Sequence, residues 1–289
     1  MTILIVDEQY TSLNLINKIM VIPKMKPIKF ESLPEMKIEH IPSSYQVIQD
    51  DIQFDFYCDI KKNSKYLQVW WGGAIDRIKL KLPVFNRWTY TNNTKDSVII
   101  FNDSTLYLED NLRLGWSVGT SKQDYMPYYK NIILNILKSL SFNTSQLLLF
   151  GSSAGGFASL MMAGRIKNSI AVVNNPQTNI LKYHKGHLNE FLEVCFNDIP
   201  ISELESKYIN RFSVSDFYKS INYCPRIYYL QNIYDTFHYE NHYKPFIKNH
   251  KSVVTNLYHE KKDKPHNPIS MIQTLKAIEK GKFLLKRKG

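Results

Sequence analysis

Hydrophobic residues along this chain occur in short unbroken runs, separated by longer segments in which they recur at helical spacing. The predicted strands cover residues 66–71, 97–101, 146–150, 170–174, 226–230 and 253–258, and the predicted helices cover 128–140, 153–166, 239–249 and 268–280. Because the strand runs are apolar at successive positions, we expect them to be buried on both faces, as in a parallel sheet. Strands that alternate with helices predict an α/β fold, with a mostly parallel sheet flanked by helices.

Two stretches depart from this alternation. Residues 1–60 predict a β-rich N-terminal extension or subdomain, and the sequence leaves open whether it is separate or adds strands to the same sheet. Residues 61–289 are predicted to form the catalytic domain, with a helical cap insertion over residues 183–220. The opening residues MTILIV are followed by Asp7 and Glu8, which favours a first strand over a secretory signal.

The composition narrows the classes of protein to be considered. With 44% hydrophobic residues among 289, the chain has enough apolar side chains for a full core. No apolar stretch approaches the roughly 18 residues of a membrane-spanning helix. The three cysteines, Cys58, Cys195 and Cys224, form no disulfide or metal-binding pattern. We therefore predict no metal and a reducing, cytoplasmic location.

The net charge of +11 favours an anionic partner over a neutral one. Three such partners fit: an anionic polysaccharide, the phosphates of coenzyme A, and a membrane surface touched by the basic tail over 280–288. No nucleic-acid-binding motif accompanies the charge, so we predict no nucleic-acid partner. The alternative is a basic surface that is simply solvated.

The motif with most chemical content lies between a predicted strand and a predicted helix. Residues 151–155 read Gly-Ser-Ser-Ala-Gly, which is the G-x-S-x-G pattern of a nucleophile elbow. The spacing makes Ser153 the nucleophile, with the Ala154 N–H as one oxyanion donor. A second donor is expected from the loop after an earlier strand, where Gly73 and Ala74 lie. The alternative is a tight structural turn.

A serine nucleophile needs a base, and the base needs an acid to orient it. In this motif's usual chain order the acid follows the serine and the histidine comes last, which predicts Asp235 and His266. His259 is the second choice of base, and His238 is a third, near Asp235 on a different element. The alternative acids are Asp198, Asp216 and Asp263.

Several other side chains are expected near this edge of the sheet, where open α/β folds bind ligands. The predicted substrate-binding residues are Arg77, Arg87, Trp88, Asn175 and Gln177. Arginine binds carboxylate or phosphate through two parallel hydrogen bonds. The aromatic rings of Trp88 and Trp116 offer faces for a sugar. The alternatives are surface ion pairs for the arginines, core packing for the tryptophans and turn formation around Pro176.

Four short motifs carry a resemblance to a known family. They are Gly-Ser-Ser-Ala-Gly-Gly-Phe-Ala over 151–158, Asn-Asn-Pro-Gln-Thr over 174–178, Phe-Asn-Arg-Trp over 85–88, and Asn-Asp-Ser-Thr over 102–105 leading to Gly-Trp at 115–116. The chain resembles the α/β-hydrolase-fold proteins of bacterial surface-polysaccharide loci, a group that includes capsular polysaccharide O-acetyltransferases. Ser153, Asp235 and His266 match the catalytic triad of that group in position and order.

The resemblance implies a cytoplasmic enzyme that transfers or removes acyl groups on a glycan. The leading hypothesis is a serine O-acetyltransferase that acts on a capsular or other surface polysaccharide, with acetyl-CoA as co-substrate and no bound cofactor. A carboxylesterase or glycan deacetylase with the same residues is the first alternative. A binding protein of a polysaccharide pathway, with a relic serine motif, is the second.

Overall fold

The computed structural model describes residues 26–260 and 262–286, in which nine strands form one sheet. The strands are β1 (Ile28–Phe30), β2 (Ser43–Gln49), β3 (Ile52–Asp59), β4 (Leu67–Trp71), β5 (Ser97–Phe101), β6 (Leu147–Ser152), β7 (Ile170–Asn174), β8 (Arg226–Asn232) and β9 (Val254–Tyr258). Their order across the sheet is β1-β2-β3-β5-β4-β6-β7-β8-β9. The strand predicted at the first residues lies outside the described residues.

The six strands from β5 to the β9 edge are parallel to one another, as their apolar sequences predict. The strands before residue 60 join the same sheet, because β3 pairs antiparallel with both β2 and β5. β1 then pairs parallel with β2 at the far edge. The mostly parallel sheet of the predicted α/β fold is therefore present.

Nine α-helical segments accompany the described strands. They are α1 (Met126–Ser139), α2 (Ala154–Arg165), α3 (Lys185–Cys195), α4 (Ile201–Lys207), α5 (Ile209–Phe212), α6 (Val214–Ser220), α7 (Thr236–His238), α8 (Lys244–Asn249) and α9 (Met271–Lys286). The segment predicted as one helix over 239–249 contains a π-helical turn, Tyr239–Tyr243, before α8 begins. Within the ranges described above, no helix combines the length and apolarity needed to cross a membrane.

The core lies on both faces of the parallel strands. Alternate residues of β6 point to opposite faces, so Leu149 packs in a cluster with α1 and α2, whereas Leu148 and Phe150 pack in a cluster with α9. Every residue of β4, β5, β6 and β7 is buried. Burial on both faces explains why these strands are mostly apolar instead of alternating with polar residues.

The segment predicted as a cap lies between β7 and β8 and contains α3 to α6. Its aromatic side chains pack around Phe191, which contacts the rings of Trp116, Phe196 and Phe212. The segment is also tied to the loop after β7, because the Val214 N–H donates to the carbonyl of Thr178 at 2.9 Å. These contacts hold the inserted helices against the carboxyl edge of the sheet.

Two helical glycines offer a matched test of this packing. A Cβ at Gly164 in α2 would lie 2.7 Å from a ring carbon of Phe217 and 2.8 Å from one of Tyr218, whereas a Cβ at Gly186 in α3 would meet nothing within 4 Å. We expect G164A to lower the free energy of unfolding by about 1–3 kcal/mol through overpacking. G186A should raise it by up to about 1 kcal/mol, because alanine favours the helix. Urea denaturation measures both changes, and a stabilising G164A would contradict the packing described.

Candidate active site

The turn between β6 and α2 holds its central serine in a strained conformation. Ser153 has φ 56° and ψ −124°, a combination of backbone angles that residues other than glycine rarely adopt. The flanking glycines allow close backbone approach. A Cβ at Gly151 would lie 2.1 Å from the carbonyl of Gly155, and a Cβ at Gly155 would lie 2.3 Å from the carbonyl oxygen of Trp71. The turn is therefore compatible only with glycine on both sides of the serine pair.

The structure brings three of the predicted catalytic residues together. Nε2 of His266 lies 2.9 Å from Oγ of Ser153, and Nδ1 of His266 lies 2.6 Å from Oδ2 of Asp235. Asp235 is 4% exposed, whereas the His266 side chain is 36% exposed and so is open to a substrate. Both distances are those of hydrogen bonds. The Ser–His–Asp arrangement is the one that activates a serine hydroxyl for attack.

The alternative bases and acids named from the sequence, apart from His238 and Asp263, have contacts with residues other than Ser153, His266 and Asp235. The ring of His259 contacts Tyr234, with ring centroids 5.6 Å apart. Asp198 accepts a hydrogen bond from the Ser121 hydroxyl at 3.4 Å, and the Asp216 N–H donates to the Ser213 hydroxyl at the start of α6. Asp263 is exposed on the loop before His266.

One buried residue, Asn232, connects Asp235 to the loop that carries His266. Nδ2 of Asn232, at the end of β8, donates to the carbonyls of Glu260 and Pro265 at 2.5 and 2.9 Å. The carbonyl of Asn232 accepts from the Asp235 N–H at 3.1 Å. A single residue that is 1% exposed thus holds both Asp235 and the segment just before His266.

Backbone N–H groups next to the serine are available to an oxyanion. Gly73 lies beside the turn, since a Cβ built there would be 3.6 Å from Cβ of Ser153. In the described part of the chain, no hydrogen bond uses the N–H of Gly73, Ala74 or Ala154. Unpaired N–H groups at the start of a helix attract negative charge, which the tetrahedral intermediate of acyl transfer carries.

Gln177 and His238 also contact these three residues. The sequence predicted Gln177 to bind substrate and offered His238 only as the third choice of base. Gln177, predicted to bind substrate, has its Nε2 2.9 Å from Oγ of Ser153 and 2.7 Å from Nε2 of His238. Nδ1 of His238 lies 3.0 Å from Oδ1 of Asp235, so both oxygens of this carboxylate face a histidine. Oε1 of Gln177 accepts from Nε1 of Trp116 at 3.2 Å.

The spacing of Asp235 and His238 is a sequence signal that points to this contact. Asp235 is the N-cap of α7, and the N-cap carboxylate accepts from the N–H of the third residue after it, which is His238. A histidine at that position is therefore on the same turn as the carboxylate.

The electrostatics of the site favour an ionised Asp235 and a neutral His238. Burial alone would raise the pKa of Asp235, but the hydrogen bonds from His238 and His266 outweigh it and hold this pKa well below its usual range. Burial lowers the pKa of His238 to about 4, against the opposing effect of Asp235, and lowers the pKa of His242 to about 3. Burial therefore favours the uncharged form of both buried rings, His238 and His242.

The segment that begins the cap also contributes to the site. The ring of Tyr183 lies 5.8 Å from that of His238, and the ring of His184 stacks on Phe237 at 3.8 Å. Burial raises the pKa of Tyr183, and the neighbouring Ser153 hydroxyl opposes this shift. The sequence singled out neither Tyr183 nor His184. They form one aromatic wall beside the serine.

The two predicted arginines differ in their surroundings. The guanidinium of Arg77 donates to the carbonyls of Leu106 and Leu112 and pairs with Asp110, so it ties a loop together. The guanidinium of Arg87 donates to Oγ of Ser152 at 3.2 Å and lies over the ring of Phe150. Among the residues that the structure describes, no carboxylate pairs with Arg87.

The remaining predicted binding residues have structural contacts. Oδ1 of Asn175 accepts from the Asn232 N–H at 2.8 Å, which links the ends of β7 and β8. The ring of Trp88 meets that of Tyr57 edge-on, with centroids 6.4 Å apart. Trp116 is 1% exposed and acts on the site through Gln177.

The cluster of Asp235, His238 and His266 has ligand atoms close enough together for a metal ion. Each of these atoms already has a partner. Both Nδ1 atoms face the carboxylate, and the Nε2 atoms face Ser153 and Gln177. These contacts fit an arrangement for proton transfer better than a metal site.

Comparison with known proteins gives matches through structure alone. No family model matches the sequence, and no curated protein sequence matches it. The capsule O-acetyltransferase of Neisseria meningitidis serogroup A superimposes with a TM-score of 0.59 at 16% identity, over 83% of this chain and 96% of that chain. A variant of that enzyme, solved in complex with CoA, gives 0.58 at 18% identity, over 84% and 95%. An esterase of the bacterial hormone-sensitive lipase family gives 0.53 at 12% identity, over 89% and 88%.

This is the α/β-hydrolase fold. The fold implied by the sequence resemblance is confirmed by the sheet order, the flanking helices and these structural neighbours. At such low identity the likeness establishes the fold, and the chemistry has to be argued from the residues.

The strain at Ser153 can be measured as stability. Glycine adopts φ 56° and ψ −124° without the penalty of about 1–3 kcal/mol that other residues incur. We therefore expect S153G to be more stable than S153A by about 1 kcal/mol in urea denaturation. The matched pair at the preceding strand residue, S152G and S152A, should show the opposite order, because glycine weakens a strand. If S153G were the less stable of its pair, the turn would not be strained.

Proposed function

We propose that this protein is a serine-dependent acyltransferase that moves an acetyl group from acetyl-CoA to a hydroxyl of a capsular or other surface glycan. The observation that carries the proposal is the contact of Ser153 with His266, and of His266 with Asp235, at a strained strand–helix turn. A donor of this kind is available in the cytoplasm, where we expect the protein to act. The likeness to a capsule O-acetyltransferase supports the choice of glycan as acceptor.

The proposed reaction has two halves. Nε2 of His266 takes the proton of the Ser153 hydroxyl as Oγ attacks the thioester carbonyl, and Asp235 stabilises the imidazolium formed. The N–H groups of Ala154 and of Gly73 or Ala74 stabilise the oxyanion. The intermediate then expels the CoA thiolate, which receives the proton from His266, and leaves an acetyl ester on Ser153. In the second half, His266 deprotonates a glycan hydroxyl as its oxygen attacks the ester. His266 then gives this proton to Oγ of Ser153 as the bond between Oγ and the acetyl carbon breaks, which frees the acetylated glycan.

A carboxylesterase or glycan deacetylase is the second candidate, and the structural likeness to an esterase favours it. The same residues would act, with water in place of the glycan hydroxyl as the acceptor. A non-catalytic binding protein is the remaining alternative, and it would make no use of the open N–H groups beside Ser153.

The nucleophile is tested by covalent labelling. We expect a fluorophosphonate probe to modify Ser153 in the unaltered protein and in S152A, and we expect no labelling of S153A. S153A should also lower kcat/KM for p-nitrophenyl acetate by at least about 10³-fold, because the step it removes cannot be replaced by a neighbouring group. Peptide mass spectrometry identifies the modified serine. Labelling at Ser152 would contradict the assignment of Ser153 as nucleophile, and absence of labelling in the folded protein would favour the binding protein.

Transfer and hydrolysis are separated by their products. Purified protein is incubated with acetyl-CoA and with glycan oligomers, alone and together, and free thiol, acetate and acetylated glycan are measured. Release of thiol that requires the glycan, with acetylated glycan as product, supports the transferase. Release of acetate without formation of acetylated glycan would contradict the transferase and support the esterase.

Arg87 is proposed to bind an anionic group of the substrate. Of its five N–H groups, one donates to Ser152, and no carboxylate of the described residues neutralises its charge. Burial lowers the pKa of Arg87, although its side chain keeps some exposure to solvent. A phosphate or carboxylate of the substrate would meet this cation next to the reacting serine.

The role of Arg87 predicts a difference between charged and neutral substrates. R87Q should raise KM for acetyl-CoA about tenfold, the effect of losing one charge-assisted contact, and leave KM for p-nitrophenyl acetate unchanged. R113Q, which removes an exposed arginine paired with Glu190, is the matched control and should change neither value. An equal rise in KM for both substrates in R87Q would indicate that Arg87 maintains the conformation of the turn and does not bind an anionic group.

A further inference from the structure

Five side chains at the candidate active site form a closed ring of hydrogen bonds. Ser153, His266 and Asp235 make one half, with distances of 2.9 and 2.6 Å. From Asp235 the ring continues to His238 at 3.0 Å, from His238 to Gln177 at 2.7 Å, and from Gln177 back to Oγ of Ser153 at 2.9 Å. The second half lies beyond the residues that the proposed reaction uses.

The chemistry of the groups gives each bond of the second half a direction. Nε1 of Trp116 can only donate, so the Gln177 atom that faces it is Oε1, and the Gln177 NH₂ group faces Ser153 and His238. Both of these contacts are then donated by the amide. His238 accepts at Nε2, carries its proton on Nδ1, and donates that proton to Asp235.

The direction of the amide bond determines where the serine proton lies. Because Gln177 donates to Oγ of Ser153, that lone pair is occupied and the hydroxyl proton is left to face Nε2 of His266. This is the orientation from which His266 removes the proton. The amide also keeps a donor on Oγ when this atom becomes the leaving group of the acyl-enzyme.

We propose that His238 is a second, positioning histidine, which shares Asp235 with His266 and orients the Gln177 amide toward the hydroxyl oxygen of Ser153. The proposal rests on the proposed function, since it assigns a role in the reaction of Ser153. His238 does not contact the reacting atoms itself. It acts through Gln177 on one side and through Asp235 on the other.

The packing around His238 fixes its ring in the plane that both contacts require. The ring stacks on that of His266, with centroids 3.9 Å apart and planes 14° apart, and it is 1% exposed. The other titratable groups that face it are His242 at 5.1 Å, Tyr183 at 5.8 Å and His184 at 6.4 Å between ring centroids. Asp235 is the one acid of the described residues in this group, and it is already shared.

The first test measures the tautomer without reference to activity. In a ¹H–¹⁵N spectrum of the histidine rings at pH 7, with the ring assigned by comparison with H238N, we expect His238 to be neutral with its proton on Nδ1. The spectrum of Q177M should shift the Nε2 resonance of His238, because its donor is lost. A proton on Nε2 of His238 would overturn the proposal, whatever the protein catalyses.

The second test measures the effect on the reaction. H238N keeps an N–H near the position of Nδ1 for Asp235 but has no atom that reaches Gln177. We expect H238N and Q177M each to lower kcat for p-nitrophenyl acetate by about 10–100-fold, with KM unchanged, through the loss of one buried hydrogen bond. The double variant should be no slower than the slower single variant, since both changes break the same connection.

Controls separate this proposal from the proposed function and from simple loss of folding. H259N replaces a histidine outside the ring and should keep the original kcat. Urea denaturation of H238N and Q177M establishes that the folded state is populated in the assay. Independent, multiplicative losses in the double variant, or an unchanged kcat in H238N, would overturn the role of His238. An inactive and unlabelled protein that shows the expected tautomer would overturn the function and leave the hydrogen-bond ring in place.

Discussion

The close approach of three backbone segments at the end of β6 is the constraint on which the site depends. The turn at Ser153 lies against the loop after β4, and the carbonyls of Trp71 and Gly72 come within 2.6 Å of where a Gly155 Cβ would be. Only a chain without side chains at these points can bring strand, helix and loop so close. The same approach places the Gly73 N–H beside the serine. The proposed nucleophile and its proposed oxyanion donor Gly73 are therefore brought together by one packing contact and not by separate features.

The parallel part of the fold could be predicted because burial on both faces leaves a clear mark on a sequence. The runs ending at Trp71, Phe101 and Asn174 are strands in the structure, within a residue of the predicted ends. The pairing of β3 with β5 was left open, because antiparallel neighbours from distant segments leave no such mark. The π-helical turn before α8 was not predicted either, since one extra residue per turn barely changes hydrophobic spacing.

The sequence placed Ser153, Asp235 and His266 in contact because each follows a predicted strand, and the carboxyl ends of parallel strands meet at one edge. His266 was preferred over His259 because it lies in a proline-rich loop just before a predicted helix, and among the described histidines the structure places His266 against Ser153 and His259 against Tyr234. The position of His238 could not be reached in the same way. It depends on a short capped turn and on the second oxygen of a carboxylate, and neither appears in the strand pattern. Arg77 and Arg87 look alike in sequence, and only their neighbours in space distinguish them.

The buried amide of Asn232 has a consequence for how such a site tolerates change. The main-chain carbonyl of Asn232 accepts from the Asp235 N–H, and its side-chain amide donates to the segment before His266, whereas Ser153 lies between a different strand and helix. Asp235 and the segment before His266 are therefore connected through one residue at the end of β8, apart from the turn that carries Ser153. The exposed side chains of β9, from Val254 to Leu257, take no part in the hydrogen bond that joins Asp235 to His266. A substitution that shifts β8 relative to β6 would instead move Asp235 and His266 together relative to Ser153.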